Sequence, residues 1–161
     1  MKFKALIEEK TQEYMDKIVE WRRHIHQNPE LSGEEKETSE YIQGILTELG
    51  IPFRTDVFQY AVIGEIHGAK PGKVVALRAD MDALPIDEET GLPFASNKEG
   101  VMHACGHDSH MAILLGAAAV LNSLKDQLAG TVKLVFQPGE EEAQVDGAKH
   151  ILASGVLDDV E

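Results

Sequence analysis

The chain has few cysteine, proline, aromatic and basic residues. Of its 161 residues, one is cysteine, 6 are proline and 6% are aromatic. The single cysteine, Cys105, cannot form an internal disulfide, which excludes a secreted disulfide-held domain and favours a reducing, cytoplasmic location. Lysine and arginine total 15 against 28 acidic residues, and the formal charge of -13 would repel a phosphate backbone. No nucleic-acid partner is therefore expected.

Long hydrophobic runs are also missing. The longest, residues 111–121, is too short to span a bilayer, and the N-terminus lacks the apolar stretch of a signal peptide. Hydrophobic residues make up 43% of the chain and charged residues 27%, which is the composition of a folded globular protein. We expect no membrane partner, and we interpret the acidity as a solvated surface.

Two amphipathic helices are predicted before the first strand. Apolar residues between positions 3 and 25 recur at helical spacing, and Asn28-Pro29 ends this pattern. Ser32 and Glu35 have the spacing of a capping box. This pair predicts the start of a second helix, whose apolar face lies within residues 41–49.

The remaining pattern alternates strands and helices. Strands are predicted at 53–58, 61–67, 74–77 and 131–136, helices at about 109–124 and 148–153, and a long loop at about 80–108. The segment 74–77 has the character of an interior strand, apolar on both faces. The order predicts an α/β fold, a sheet with helices on both faces. Ligands of such sheets bind beyond the carboxyl ends of the strands, where the loops from Asp80 and Gln137 begin.

Three of the seven histidines and the only cysteine lie within residues 103–110. Cys105 and His107, separated by one residue, can chelate a borderline-soft divalent ion, and Asp108 can bridge or orient from outside. The alternative is a set of polar loop histidines beside a small buried cysteine. Clustering at a strand-to-helix crossover favours the metal site. A closed structural zinc site would need a second pair of ligands, which the sequence does not offer.

Acidic residues follow both predicted inner strands. Asp80 and Asp82 come directly after one, and Glu140, Glu141 and Glu142 follow the other. Taken alone, paired acids are commonly turn or cap residues, and a glutamate triplet is commonly a solvated face. Beside a metal-binding loop, one glutamate can serve as a ligand and its neighbour as a general base.

Five sequence blocks, in order, resemble the amidohydrolase branch of the M20 metallopeptidases. That branch includes N-acyl-amino-acid, hippurate, indole-acetyl-amino-acid and N-acetyl-diaminopimelate hydrolases. The blocks are RRHIHQNPELS at 22–32, LRADMDALPI at 77–86, GLPFAS at 91–96, MHACGHDSH at 102–110 and FQPGEE at 136–141. The resemblance implies part of a dinuclear-metal amidohydrolase catalytic domain with two divalent ions (zinc, manganese, nickel or cobalt). Such an enzyme cleaves the amide bond of small N-acyl amino acids or small peptides through metal-activated water.

The resemblance also implies roles for single residues. Cys105, His107 and Glu141 match metal ligands, and Glu140 matches the general base. Related peptidases carry a His-x-Asp motif where this chain has Asp80-Met81-Asp82, so Asp80 stands in place of the histidine. Both Asp80 and Asp82 are therefore candidates for the supporting acid in catalysis. Gly139 stands where the family commonly has alanine.

Members of the resembled family are longer, with a lid and dimerisation domain and further histidine ligands. The resemblance therefore implies that residues 1–161 are the N-terminal part of a catalytic domain, weak or inactive alone, and it leaves a homo-oligomer open for the longer protein. Two other functions also remain open. One is a non-catalytic metal-binding or assembly segment, and the other is a thiol enzyme with Cys105 as nucleophile.

Overall fold

The computed structural model describes residues 2–161, which form four α-helices and a four-stranded sheet. The helices are α1 (Lys2–Gln27), α2 (Lys36–Glu48), α3 (His107–Ser123) and α4 (Gly147–Ala153), with a short 3-10 turn at Lys125–Gln127. The strands are β1 (Phe53–Arg54), β2 (Val62–His67), β3 (Lys70–Asp80) and β4 (Ala129–Gln137). Within these residues the structure contains no helix with the length and apolarity that a membrane crossing requires.

The sheet places the ends of two strands side by side. Its order is β1-β2-β4-β3, in which β3 and β4 run parallel and the other neighbours run antiparallel. Parallel strands need a crossover, and α3 lies within the connection from β3 to β4. Asp80 pairs with Gln137 at the carboxyl ends of β3 and β4. The loops that follow these two residues therefore start at the same edge of the sheet.

Both faces of the sheet are covered by helices, which confirms the predicted α/β class. On one face, α2 and α3 pack against the sheet and α1 packs against α3, around a buried core that includes Trp21, Ile42, Leu46, Leu115 and Phe136. On the other face, Ile151 of α4 joins Ile63 and Val135 in a smaller cluster. The first cluster is the larger of the two, so most of the apolar burial lies on the face with three helices. Burying one large apolar side chain contributes about 2 kcal/mol to stability.

The strand predicted as interior is an edge strand among the described residues. β3 pairs with β4 on one side, and Val75 and Leu77 are 43% and 38% exposed. On the other side, the backbone N–H of Glu161 donates to the carbonyl of Val74 at 3.0 Å. The apolar run 74–77 correctly predicted a strand, but the prediction that this strand is buried on both faces is wrong. The strand expected at 53–58 is also shorter, limited to Phe53–Arg54.

The capping-box prediction is wrong, although α2 begins nearby. Glu35 precedes α2, and no side chain caps the helix from that position. The Ser32 hydroxyl donates to Asp82 Oδ2 at 2.6 Å, and Glu35 Oε1 accepts the Gly139 N–H at 2.7 Å. Glu30 instead accepts the backbone N–H of Thr38, at 2.8 Å. Ser32 and Glu35 are thus directed toward the loops at the carboxyl edge of the sheet.

Candidate metal centre

A group of possible metal ligands lies at the carboxyl edge formed by β3 and β4. One ligand atom from each of Cys105, His107 and Glu141 lies within 4.8 Å of the other two. His107 is the first residue of α3, and Gly106 before it has a φ of +96°, a backbone conformation that glycine adopts without strain. Glu141 follows β4 in the segment 138–142, here named the glutamate loop. The structure therefore brings together the three residues that the family resemblance nominated as ligands.

His107 is oriented by Asp82. Its Nδ1 lies 2.9 Å from the backbone carbonyl oxygen of Asp82 and 3.3 Å from Asp82 Oδ1. Both partners are acceptors, so Nδ1 carries the proton and Nε2 is left free. Nε2 faces the glutamate loop, 3.9 Å from Glu140 Oε2 and 3.9 Å from Glu141 Oε1. In its neutral form, an imidazole held in this way directs the Nε2 lone pair toward the neighbouring ligand atoms.

Asp82 also holds the glutamate loop. Its Oδ2 accepts hydrogen bonds from the Ser32 hydroxyl at 2.6 Å and from the Glu141 N–H at 2.7 Å. Burial alone would raise the pKa of Asp82, but hydrogen bonds from His107, Ser32 and the Glu141 N–H outweigh it and lower the pKa to about 2. The hydrogen bond to Asp82 in turn raises the pKa of His107 to about 9. Asp82 is therefore an ionised side chain that contacts two of the three ligand residues.

Asp80 has a different partner. Its Oδ1 accepts a hydrogen bond from Arg78 Nε at 3.0 Å, and Arg78 has the same side-chain direction because the two residues are two apart on β3. Of the two aspartates nominated from the sequence, the one in contact with His107 is Asp82.

The donor set suits a divalent ion. Glu141 Oε1 is buried and has no hydrogen-bond partner among residues 2–161, which is costly unless another group satisfies it. The Cys105 side chain is exposed, and the neighbouring Glu141 carboxylate raises the pKa of the thiol. A thiol, an imidazole and a carboxylate are the ligands that zinc and similar first-row ions take from proteins. The residues present therefore fit a metal ion.

Glu140 lies at the open side of this cluster. Its side chain is 42% exposed, in contrast to the buried His107 beside it. An open cleft of about 380 Å³ adjoins it, and Arg78 and Gln137 also line this cleft. A carboxylate in this position is accessible to solvent.

A buried ionic network supports the start of α3 and was not foreseen from the sequence. Asp108 Oδ2 lies 2.8 Å from Arg22 Nε and 2.7 Å from His26 Nδ1, and His26 Nε2 lies 3.2 Å from Glu88 Oε1. Asp108 thus joins α1 to α3 through its Oδ2. The one available signal was the position of Arg22 and His26 next to the apolar stripe of α1. His103 is also buried, and burial lowers its pKa to about 4, so that its imidazole is neutral.

These features define a class of structure: an α/β domain with a cluster of metal-ligating side chains at the carboxyl edge of its sheet. A family model described as peptidase family M20/M25/M40 matches residues 76–161. Thermostable carboxypeptidase 1 of Saccharolobus solfataricus is 49% identical over 150 residues, covering 92% of this chain and 38% of the relative. N-acetyl-L-cysteine deacetylase of Bacillus subtilis is 49% identical over 144 residues, covering 89% of this chain and 34% of the relative.

The fold agrees with these relatives. A crystal structure of a Bacillus subtilis dinuclear metal-binding peptidase from the M20 family superposes with a TM-score of 0.89 and 45% identity, covering 93% of this chain and 42% of that chain. The chain belongs to peptidase family M20/M25/M40. It spans 38% and 34% of the length of the two curated relatives.

Proposed function

We propose that the chain forms the metal-binding part of a hydrolase that cleaves the amide bond of small N-acyl amino acids or small peptides. The observation that carries this proposal is the convergence of Cys105, His107 and Glu141 within 4.8 Å, with Glu140 on their open side. The names of the relatives, a deacetylase of N-acetyl-L-cysteine and a carboxypeptidase, support the choice of an amide substrate.

In this proposal Cys105, His107 and Glu141 hold a divalent ion. A bound ion there supplies Lewis acidity, which polarises a carbonyl and lowers the pKa of water. We propose two ions per site in the complete enzyme, drawn from zinc, manganese, nickel or cobalt, because a similar structure is described as dinuclear and the donor set suits each of these metals. The two ions need more ligands than these three residues provide.

Glu140 is the proposed general base. Its carboxylate takes a proton from the attacking water and returns it to the nitrogen of the leaving amine, so the proton balance closes within one residue. Its half-exposed position at the cleft gives it access to both water and substrate. Asp82 is proposed as the residue that holds His107 in the correct tautomer. Asp80 instead forms an ion pair with Arg78.

The solvent exposure of Glu140 bears on whether these residues form a complete active site. Hydrolytic sites that work well are closed to bulk water, whereas Glu140 is accessible from solvent here. We therefore propose that residues 1–161 are the N-terminal part of a longer catalytic domain and are weak or inactive alone. A reducing, cytoplasmic location and a homo-oligomeric complete protein belong to the same proposal.

The alternatives are a non-catalytic metal-binding segment and a thiol enzyme. A nucleophilic cysteine needs a lowered thiol pKa, and the neighbouring Glu141 carboxylate raises the pKa of Cys105. This environment disfavours the thiol enzyme.

The proposal is tested by assaying hydrolysis of N-acetyl and N-benzoyl amino acids. A longer protein containing this sequence should hydrolyse them in a manner that a chelator abolishes and zinc or manganese restores. The 161-residue chain should be far slower at equal metal content. A metal-loaded longer protein without hydrolysis would support the non-catalytic segment. Turnover that survives chelation but not iodoacetamide would support the thiol enzyme.

A further inference from the structure

Glu35 makes an unusual connection for a residue that precedes a helix. Its side chain is completely buried, and its Oε1 accepts the backbone N–H of Gly139 at 2.7 Å. Gly139 belongs to the glutamate loop, 104 positions away along the chain. A single carboxylate therefore ties the connection between α1 and α2 to the segment that carries Glu140 and Glu141.

This bond has a counterpart on the other side of Glu140. The N–H of Glu141 donates to Asp82 Oδ2 at 2.7 Å, so the peptide groups of both neighbours of Glu140 are held by buried carboxylates. Gly139 has a φ of +65°, a left-handed conformation that glycine adopts at little steric cost. Fixing both flanking amides limits the positions that the Glu140 and Glu141 side chains can take relative to His107.

Helix capping does not account for the burial of Glu35. Glu35 makes no side-chain cap for α2, whereas Glu30 accepts the backbone N–H groups of Glu37 and Thr38. The second oxygen of Glu35, Oε2, is buried without a hydrogen-bond partner among residues 2–161. A buried carboxylate that satisfies only one of its oxygens costs stability. The hydrogen bond from the Gly139 N–H offsets part of this cost.

We propose that Glu35 is a positioning residue for the metal centre, which holds the glutamate loop through the Gly139 N–H so that Glu140 and Glu141 face His107. The proposal rests on the proposed function for the roles of Glu140 and Glu141. It concerns a contact that is present without any metal, so it can be tested apart from activity.

The first test uses backbone amide signals of the 161-residue chain, measured by NMR without metal. Glu35 and Glu30 are matched buried glutamates with different reporters, Gly139 for the first and Thr38 for the second. Glu35→Ala should reduce the exchange protection of the Gly139 amide by about tenfold and leave Thr38 unchanged. Glu30→Ala should do the reverse. Glu35→Gln keeps an acceptor oxygen and should retain the protection of Gly139.

Glu35→Gln also covers the case in which Glu35→Ala does not fold. An amide carbonyl accepts a weaker hydrogen bond than a carboxylate, so at alkaline pH the Gly139 amide proton should move upfield in Glu35→Gln while Thr38 stays in place. Unchanged exchange protection of Gly139 in Glu35→Ala, or an unchanged Gly139 amide chemical shift in Glu35→Gln, would overturn the proposal.

The second test measures cobalt binding by absorption spectroscopy on the same proteins. Loss of a residue that orients a ligand from outside typically weakens metal binding by about tenfold or more, so Glu35→Ala should bind cobalt about tenfold more weakly, with Glu35→Gln and Glu30→Ala close to wild type. Equal affinity of Glu35→Ala and wild type would overturn the positioning role even if Gly139 responds. Failure of the wild-type chain to bind cobalt at all would count against the proposed metal centre, and the amide signals would still decide whether Glu35 holds the loop.

Discussion

The imidazole of His107 is held by Asp82 through two acceptors, its backbone carbonyl at 2.9 Å and its carboxylate at 3.3 Å. The same carboxylate accepts the N–H of Glu141. One buried aspartate therefore sets the orientation of an imidazole from α3 and the path of a loop after β4. Two proposed ligands that are 34 positions apart in sequence depend on a residue that need not touch the ion.

Asp82→Asn should lower the pKa of His107 from about 9 toward its ordinary value of 6.5, because the hydrogen bond to the Asp82 carboxylate is the largest cause of the shift. The pKa of Asp82 is lowered to about 2 from 3.8, so its contribution to stability is lost as pH falls through 2. The contribution of His107 is complete below 6.5 and is lost as pH rises through 9. The wild type should thus exceed the variant in stability most clearly between pH 3.8 and 6.5.

Histidine NMR titration of the metal-free chain measures this pKa directly, and urea unfolding across pH measures the stability. Asp80→Asn is the matched control, because Asp80 is paired with Arg78 and should change the His107 pKa much less. A larger change in Asp80→Asn than in Asp82→Asn would assign the supporting role to Asp80.

Cys105→Ala should reduce metal binding, because it removes the one thiol from a group of three ligand residues. We expect a loss of affinity of about tenfold or more, since even residues outside the ligand set can have effects of that size. Elemental analysis and the cobalt-thiolate absorption band report the loss. The control is His67→Ala, an exposed histidine on β2 at the opposite end of the β2–β4 ladder. Unchanged metal content in Cys105→Ala would remove Cys105 from the proposed ligand set.

Glu140→Gln and Glu141→Gln should separate proton transfer from metal binding. The Glu140→Gln variant keeps the size of the side chain but loses the group that takes a proton, so metal should stay bound while hydrolysis by a longer protein falls by about 10² to 10⁴-fold. Glu141→Gln should instead weaken metal binding, because the oxygen of Glu141 that faces His107 is buried and otherwise unpartnered. Metal content and turnover are measured on the same samples. Near wild-type turnover in metal-replete Glu140→Gln would move the general base elsewhere.

Cys105 and His107 could be nominated as ligands from the sequence because their signal is local. Cys105 and His107 are two residues apart, and Glu141 follows a strand that pairs in parallel with the strand before the other loop. Parallel pairing brings the carboxyl ends of such strands together. Residue type and spacing were enough to nominate Cys105 and His107, whereas Glu141 was singled out among three glutamates by its match to the family motif.

The parts that sequence could not predict depend on long-range contacts. Ser32 and Glu35 have the spacing of a capping box, but their partners, Asp82 and Gly139, are 50 and 104 positions away. A local motif and a tertiary contact use the same residue types, and only the fold decides between them. The exposure of β3 depends likewise on which strand lies beside it, which the apolar run 74–77 does not encode.

Because of Glu35, the free energy of unfolding should decrease as the pH rises. Burial raises the pKa of Glu35 from 4.5 to about 7, so between these values the folded chain binds more protons than the unfolded chain and the folded state loses stability as pH rises. The lost free energy of unfolding is on the order of 3 kcal/mol at most. The Gln side chain of Glu35→Gln cannot ionise, so the stability of this variant relative to the wild type should increase across this pH range. Denaturant unfolding at a series of pH values checks this, and parallel profiles for the two proteins would contradict it.

Gly139→Ala should destabilise the glutamate loop, although the resembled family commonly has alanine there. Gly139 has a φ of +65°, and an added Cβ would lie 2.2 Å from Val145 Cγ1 and 2.7 Å from Val145 Cβ. The steric cost of such overpacking is about 1 to 3 kcal/mol, and the left-handed backbone adds about 1 kcal/mol for a residue with a side chain. Since Val145 is the obstacle, Gly139→Ala combined with Val145→Ala should recover part of the loss, whereas Val145→Ala alone should not stabilise the chain. Thermal unfolding of the two single variants and the double variant gives the coupling free energy. Additive effects would mean that Val145 is not what excludes alanine at position 139.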